Sequence, residues 1–290
     1  GGAATSWSWS GPNNFSAGTQ TATVGSATTA ATGTYYVTAT DANGCSSTSS
    51  VAAIVNSEIA ATAASNSPVC EGSDLTLMET GGAATTWNWS GPNTFVSTLQ
   101  NPVVSASTSA ATGTYYVTVT DANGCSNTAS VATTVNGSPA ANAMSYNNTV
   151  CEGSDLTLME TGGTATAWNW SGPNNFTSTA QNALVSSATT AATGTYYVTI
   201  TDDNGCNGTA SVAATVNASP MASATSGSPV CAGFDLILNE VGGAATSWSW
   251  SGPNNFSAGT QTATVGSATT AATGTYYVTA TDANGCSSTS

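Results

Sequence analysis

The chain has 290 residues, no Lys, Arg or His, and 14 Asp and Glu, for a formal net charge of −14. With no cation to neutralise phosphates and no polybasic patch for an anionic bilayer, the composition argues against nucleic-acid and membrane-surface binding; with no imidazole and no lysine, it offers no ordinary general base, pH switch or Schiff-base nucleophile. Charged residues make up only 5%, so the surface must be largely Thr, Ser, Asn, Ala and Gly, while 8 Trp, 9 Tyr and alternating Val and Leu argue against disorder.

No apolar run approaches the roughly 20 residues of a membrane span, and no signal peptide is evident. The dominant feature is repetition. Residues 1–49 recur letter for letter at 242–290, an offset of 241 residues. Within that offset the run Trp87-Asn88-Trp89-Ser90-Gly91-Pro92-Asn93 has counterparts starting at Trp7, Trp168 and Trp248, Gly-Thr-Tyr-Tyr-Val starts at Gly33, Gly113, Gly194 and Gly274, and Asn-Gly-Cys ends at Cys45, Cys125, Cys206 and Cys286. The period is therefore near 80 residues. Residues 58–137 and 138–218 read as complete units, 1–57 as a unit lacking its first strands, and 219–290 as one lacking its last strand. A polypeptide that continues at both ends is the expectation.

In chain order, 58–137 reads as short strands separated by turns. Ile59–Ala64 is a weak first strand, and Leu75-Thr76-Leu77 alternates as a half-buried strand does. After the Gly81-Gly82 turn, Thr85–Trp89 places Trp87 and Trp89 on one face. Ser90-Gly91-Pro92-Asn93 carries turn chemistry. Phe95–Leu99 and Val103–Ala106 are brief strands. Tyr115, Val117 and Val119 face one way, and Tyr116, Thr118 and Thr120 the other. Asp121-Ala122-Asn123-Gly124 is a hairpin loop, and Val131 and Val135 lie in the last strand. Seven short strands with no helical periodicity predict an all-β fold, a linear array of seven-stranded β-sandwiches.

Gly113-Thr114-Tyr115-Tyr116-Val117 resembles the immunoglobulin tyrosine-corner pattern, with Val117 where that pattern has Cys. Together with Cys70–Leu77, Trp-x-Trp-Ser-Gly-Pro-Asn and Gly113–Cys125, it resembles the immunoglobulin-like and PKD-like repeats of SprB-type gliding-adhesin surface proteins. The resemblance covers every unit. It implies immunoglobulin-like domains on a cell surface, with core aromatics at Trp87, Trp89, Tyr115, Trp168, Trp170, Tyr196, Trp248, Trp250 and Tyr276.

Seven cysteines in an extracellular repeat suggest disulfides. The default pairing is within units, Cys70–Cys125, Cys151–Cys206 and Cys231–Cys286, which leaves Cys45 unpaired. Sandwich geometry speaks against it, because the two cysteines of a unit sit at opposite ends, about 20 Å apart against a limit near 7 Å. In a linear string, Cys70–Cys206 and Cys151–Cys286 would staple neighbours instead, and free thiols are the third alternative. No CxxC spacing points to zinc. A weak calcium alternative groups Glu71 and Asp74 with Asp202 and Asp203 at a domain junction, against the reading of these carboxylates, and of Glu79 and Glu160, as solvated residues and turn formers.

The outward Tyr36, Tyr116, Tyr197 and Tyr277 form a stripe suited to stacking on sugars or on a neighbouring filament, or to ordinary cross-strand packing. Sequons such as Asn88-Trp89-Ser90 and Asn207-Gly208-Thr209 arise readily in a chain this rich in Ser and Thr. No catalytic arrangement or cofactor motif emerges. The expected role is a structural repeat array of an extracellular filament or adhesin stalk, with copies of itself or its own continuation as partner. The alternative is a multivalent glycan- or protein-binding module.

Overall fold

The computed structural model describes residues 4–290; the first three residues of the 1–57 unit lie outside it. The chain divides into two compact units, Gly1–Gly137 and Ser138–Ser290.

In the second unit, residues 138–218 form a two-sheet sandwich. One sheet has the order Ala143–Ser145, Leu156–Glu160, Asn182–Val185. The other runs Thr149–Cys151, Asn207–Asn217, Gly194–Thr201, Ala167–Gly172, Phe176–Ser178. All pairings are antiparallel except Thr149–Cys151, which runs parallel to the end of Asn207–Asn217 with Cys151 opposite Asn217. Alternation explains both inner faces. Leu156 and Leu158 point inward while Thr157 and Met159 do not; Tyr196, Val198 and Ile200 point inward while Tyr197 faces out. With Trp170 these side chains are fully buried and form the core, each large apolar group contributing about 1.5–3 kcal/mol by burial.

Tyr196 also fixes a corner. Its hydroxyl donates to the carbonyl of Ala192 at 2.7 Å, Phe176 meets its ring edge-on at 5.5 Å, and burial pushes its phenol pKa up. Gly172 lies against the same ring, and a Cβ there would overlap it. The same tyrosine bond recurs at Tyr35, Tyr115 and Tyr276.

Residues 219–290 repeat the pattern with two sheets, Ala224–Ser226, Leu236–Glu240, Thr262–Val265 and Phe256–Ala258, Ser247–Gly252, Tyr277–Thr281, Ser287–Thr289. In the first unit, residues 58–137 form the sheets Val103–Val104, Leu75–Met78, Ala64–Ser65 and Ser126–Thr133, Gly113–Thr120, Thr86–Gly91, Phe95–Ser97. Residues 4–57 form a single sheet, Phe15–Ala17, Ala4–Gly11, Gly33–Asp41, Ser46–Ala53.

Several details differ from the sequence reading. The Ile59–Ala64 strand shrinks to Ala64–Ser65, although Ile59 is buried. Phe95–Leu99 ends at Ser97. Val103–Ala106 ends at Val104, because Ala106 turns the chain at φ +46. A parallel edge pair, Val69–Cys70 with Val135–Asn136, was not expected; two residues after Pro68 carry no readable alternation. The described residues contain no α-helix, only single 3₁₀ turns such as Thr190–Ala192 ahead of the tyrosine strand. This is a tandem array of immunoglobulin-like sandwiches.

Candidate functional site

The cysteines define the first site. Cys151 and Cys286 form a disulfide, with Cα atoms 5.4 Å apart across a sequence separation of 135. Cys70 and Cys206 are also disulfide-bonded, whereas Cys45, Cys125 and Cys231 are free. The within-unit pairing is thereby corrected at all three places: Cys70 is not joined to Cys125, Cys151 is not joined to Cys206, and Cys231 is not joined to Cys286. Cys45 is one of three unpaired cysteines.

Strand length is the reason. Cys206 immediately precedes the strand Asn207–Asn217, and Cys151 lies beside Asn217 at its other end. An 11-residue strand spans about 36 Å, several times the reach of a disulfide. The Cys151 end of residues 138–218 is instead met by the hairpin turn of residues 219–290. There Asp282 Oδ1 accepts the backbone N–H groups of Asn284 and Cys286 at 2.9 and 2.8 Å, and Cys286 is fully buried. The bond therefore staples consecutive repeats.

A second feature is a buried carboxylate beneath an indole. Glu79, Glu160 and Glu240 are at most 2% exposed, contrary, for Glu79 and Glu160, to their reading as solvated residues. Glu160 Oε1 accepts from Gly162 N at 2.6 Å and Asn142 N at 3.1 Å, and Oε2 accepts from Trp168 Nε1 at 3.2 Å. Glu79 holds Trp87 at 3.0 Å and Glu240 holds Trp248 at 2.9 Å in the same way. A buried charge is tolerable only when its lone pairs are filled by donors, and here no cation is available. For Glu240, burial pushes the carboxyl pKa up, but hydrogen bonds from Trp248, Gly242, Ser223 and Gln261 outweigh it and hold the pKa below the usual glutamate value.

In the three later repeats the two tryptophans therefore divide their roles. Trp89, Trp170 and Trp250 are buried in the core with Tyr115 and Tyr196, whereas Trp87, Trp168 and Trp248 are half-buried over the glutamate, and Tyr276 is half-buried. The signal was present in the sequence as a glutamate eight residues before Trp87, Trp168 and Trp248.

The proposed calcium ligands are otherwise engaged. Glu71 Oε1 accepts from Ser109 N at 2.8 Å, Asp74 Oδ1 from Ala106 N at 2.9 Å, and Asp202 Oδ1 from Asn204 N and Cys206 N at 3.0 and 2.8 Å. Asp203 Oδ1 accepts from Asn204 Nδ2 at 3.3 Å. Among the described residues no group of three or more His, Cys, Asp or Glu is placed to hold a metal ion.

The outer face of the larger sheet is the third feature. Tyr36, Tyr116, Tyr197 and Tyr277 are 50%, 51%, 58% and 54% exposed. Tyr197 stands between Ser171 and Ser211, and Thr199 between Asn169 and Thr209. Equivalent Thr pairs touch through their hydroxyls, Thr118 with Thr128 at 3.0 Å. The face presents hydroxyls, amides and one phenol per repeat, with no ionisable carboxylate. Asn88 opens onto it opposite Thr118, and Asn207 is exposed at a strand start.

Three comparisons bear on identity. No family model matches the chain, and no curated protein matches it. Solved structures match as tandem domains. A 1.5-MDa bacterial ice-binding adhesin is 17% identical, with 80% of this chain and 94% of that one covered, at a TM-score of 0.34. Sidekick-1 immunoglobulin domains 1–5 are 14% identical, with 98% and 72% covered, at 0.31. Drosophila OTK extracellular domains 3–5 are 14% identical, with 73% and 85% covered, at 0.35. At these identities the likeness concerns the fold alone. No helix of the described residues is long and apolar enough to cross a membrane.

Proposed function

We propose that the chain is a stretch of a structural repeat array, an extracellular filament or the stalk of a surface adhesin, whose work is extension and display rather than catalysis. On this reading 58–137 and 138–218 are whole domains, and 1–57 and 219–290 are parts of domains. The family it fits best is that of SprB-type gliding-adhesin repeats, and its partners are further copies of the same repeat.

The observation that carries the proposal is the Cys151–Cys286 bond. A bond between consecutive repeats stiffens a string end to end, which a binding module has no need of. Its survival requires an oxidising compartment, which favours the cell exterior. The exact recurrence of 49 residues at an offset of 241 supports it, since binding arrays diversify their loops.

The test is electron microscopy of native, unreduced material. A thin fibre with an axial repeat on the order of 100 Å, three sandwich lengths, is the expected result. Isolated short rods would sink the filament reading.

The exposed tyrosines favour a second reading, a multivalent glycan- or protein-binding module. Replacing Tyr36, Tyr116, Tyr197 and Tyr277 together with Ala would then abolish retention on a neutral polysaccharide column while leaving thermal unfolding unchanged. Unaltered or absent retention of the native chain would rule the glycan version out.

A further inference from the structure

Cys125 and Cys231 are free, yet each is presented by the same local structure as a bonded cysteine. Around Cys231, Phe234 N donates to the Cys231 carbonyl at 3.1 Å and Gly233 N to Ala268 O at 2.9 Å. Around bonded Cys151, Ser154 N donates to the Cys151 carbonyl at 3.0 Å and Gly153 N to Ala188 O at 2.8 Å. Cys125 N donates to Asp121 Oδ1 at 2.9 Å, as bonded Cys286 does to Asp282 Oδ1 at 2.8 Å. Cys231 is thus a leading half of a staple and Cys125 a trailing half.

We infer that Cys231 bonds to the Cys125 of the next copy of the 241-residue repeat, so that successive copies are covalently joined across their boundary by the same kind of staple as Cys151–Cys286. The inference rests on the reading of the chain as a repeat array. Because 242–290 duplicates 1–49, the repeat that follows in the series is 58–137, and its cysteine falls 135 residues beyond Cys231, the separation observed for Cys151–Cys286.

The surface around Cys231 is built for cover. Phe234 stands where the other repeats have Ser73 and Ser154, and it is 68% exposed. An exposed aromatic ring three residues from an exposed thiol marks a face that a second body closes. Trailing cysteines change accordingly: bonded Cys206 and Cys286 are fully buried, whereas free Cys125 is half-buried and Cys45 exposed. Cys45 is no candidate partner for Cys231, because it is the duplicate of Cys286, which lies in the same repeat as Cys231. The bond forms by thiol–disulfide exchange: the two thiols lose two protons and two electrons to an external disulfide, which leaves as two thiols.

The test uses the chain extended by one further copy of residues 50–290. After denaturation without reductant, thiol titration should still find three free cysteines, as in the 290-residue chain. Non-reducing peptide mapping should join the fragment Val-Cys-Ala-Gly-Phe to Gly-Cys-Ser-Asn-Thr in a monomeric chain. Cys231→Ser should add one free thiol. Two additional thiols in the extended chain, or the Cys231 fragment joined to any other cysteine, would overturn the inference. Neither result depends on whether fibres form, so the staple and the filament reading can fail separately.

Discussion

The same 49 residues occur twice in this molecule, at 1–49 and 242–290, and they fold to different extents. In the later copy Leu236–Glu240 pairs with Thr262–Val265 and supplies a second sheet. Trp250 is 1% exposed and Val278 and Ala280 are fully buried. In the earlier copy Thr21–Val24 is not a strand, and Trp9, Val37 and Ala39 are only half-buried.

The bonds internal to the sheet are indifferent to this. Trp9 and Trp250 both donate to a threonine carbonyl at 3.0 Å, Tyr35 and Tyr276 both donate at 2.8 Å, and both Phe–Tyr ring pairs sit at 5.4 Å. Register and turns are therefore written within the 49 residues, whereas the second sheet of the later copy also needs Leu236–Glu240 ahead of them.

The largest expected break in this comparison is Trp→Ala. Trp250→Ala removes a fully enclosed indole and should cost about 3–5 kcal/mol, whereas Trp9→Ala should cost about 1 kcal/mol, since water already reaches that ring. Denaturant unfolding of the two variants side by side checks this; equal losses would mean that the second sheet adds nothing to the core. Next comes Cys151→Ser, which unties the later copy from its neighbour and should cost about 2–4 kcal/mol. Hydrogen exchange should report it as faster amide exchange at Ser287–Thr289, with no change in the earlier copy.

How much of this was legible depends on range. The sandwich, the tyrosine corner and the outward Tyr197 follow from two-residue alternation and turn residues, which are local. Two things were not. The staple is set by how consecutive repeats abut, and the cysteine count is compatible with either pairing; the strand length between Cys206 and Cys151 decided it, an argument the sequence already carried as the alternative. Glu79 and Glu160 were read as solvated because charge normally is. Nothing local says that Gly162, Asn142 and Trp168 converge on Glu160, although the fixed glutamate–tryptophan spacing is a trace of it.

That carboxylate gives a third test. In the later copy Glu240 serves Trp248. Glu240→Gln puts an amide N–H₂ among donors and should cost about 1–3 kcal/mol. The folded pKa of Glu240 lies below the ordinary glutamate value of 4.5. Its contribution to stability is therefore complete above about pH 4.5 and is lost as pH falls through the lower folded value. Acid titration of the intrinsic fluorescence should show a transition that Glu240→Gln removes. An acid transition identical in the variant would mean that other carboxylates control it.

The smallest expected effect is the sharpest control. Thr38 with Thr48 and Thr279 with Thr289 make the same hydroxyl pair at 2.9 Å on the outer face of the two copies. Each pair is exposed and lies within one sheet, so neither depends on the second sheet that distinguishes the copies. Thr38→Ala and Thr279→Ala should each cost only a few tenths of a kcal/mol, and by the same amount. Equality would establish that the outer face is one surface repeated along the chain, whatever the state of the core beneath it. That is the condition for a periodic array to present a periodic face. A markedly larger loss at Thr279 would show instead that packing beneath the sheet is felt on its outer side, so that copies differing in core would also differ in surface.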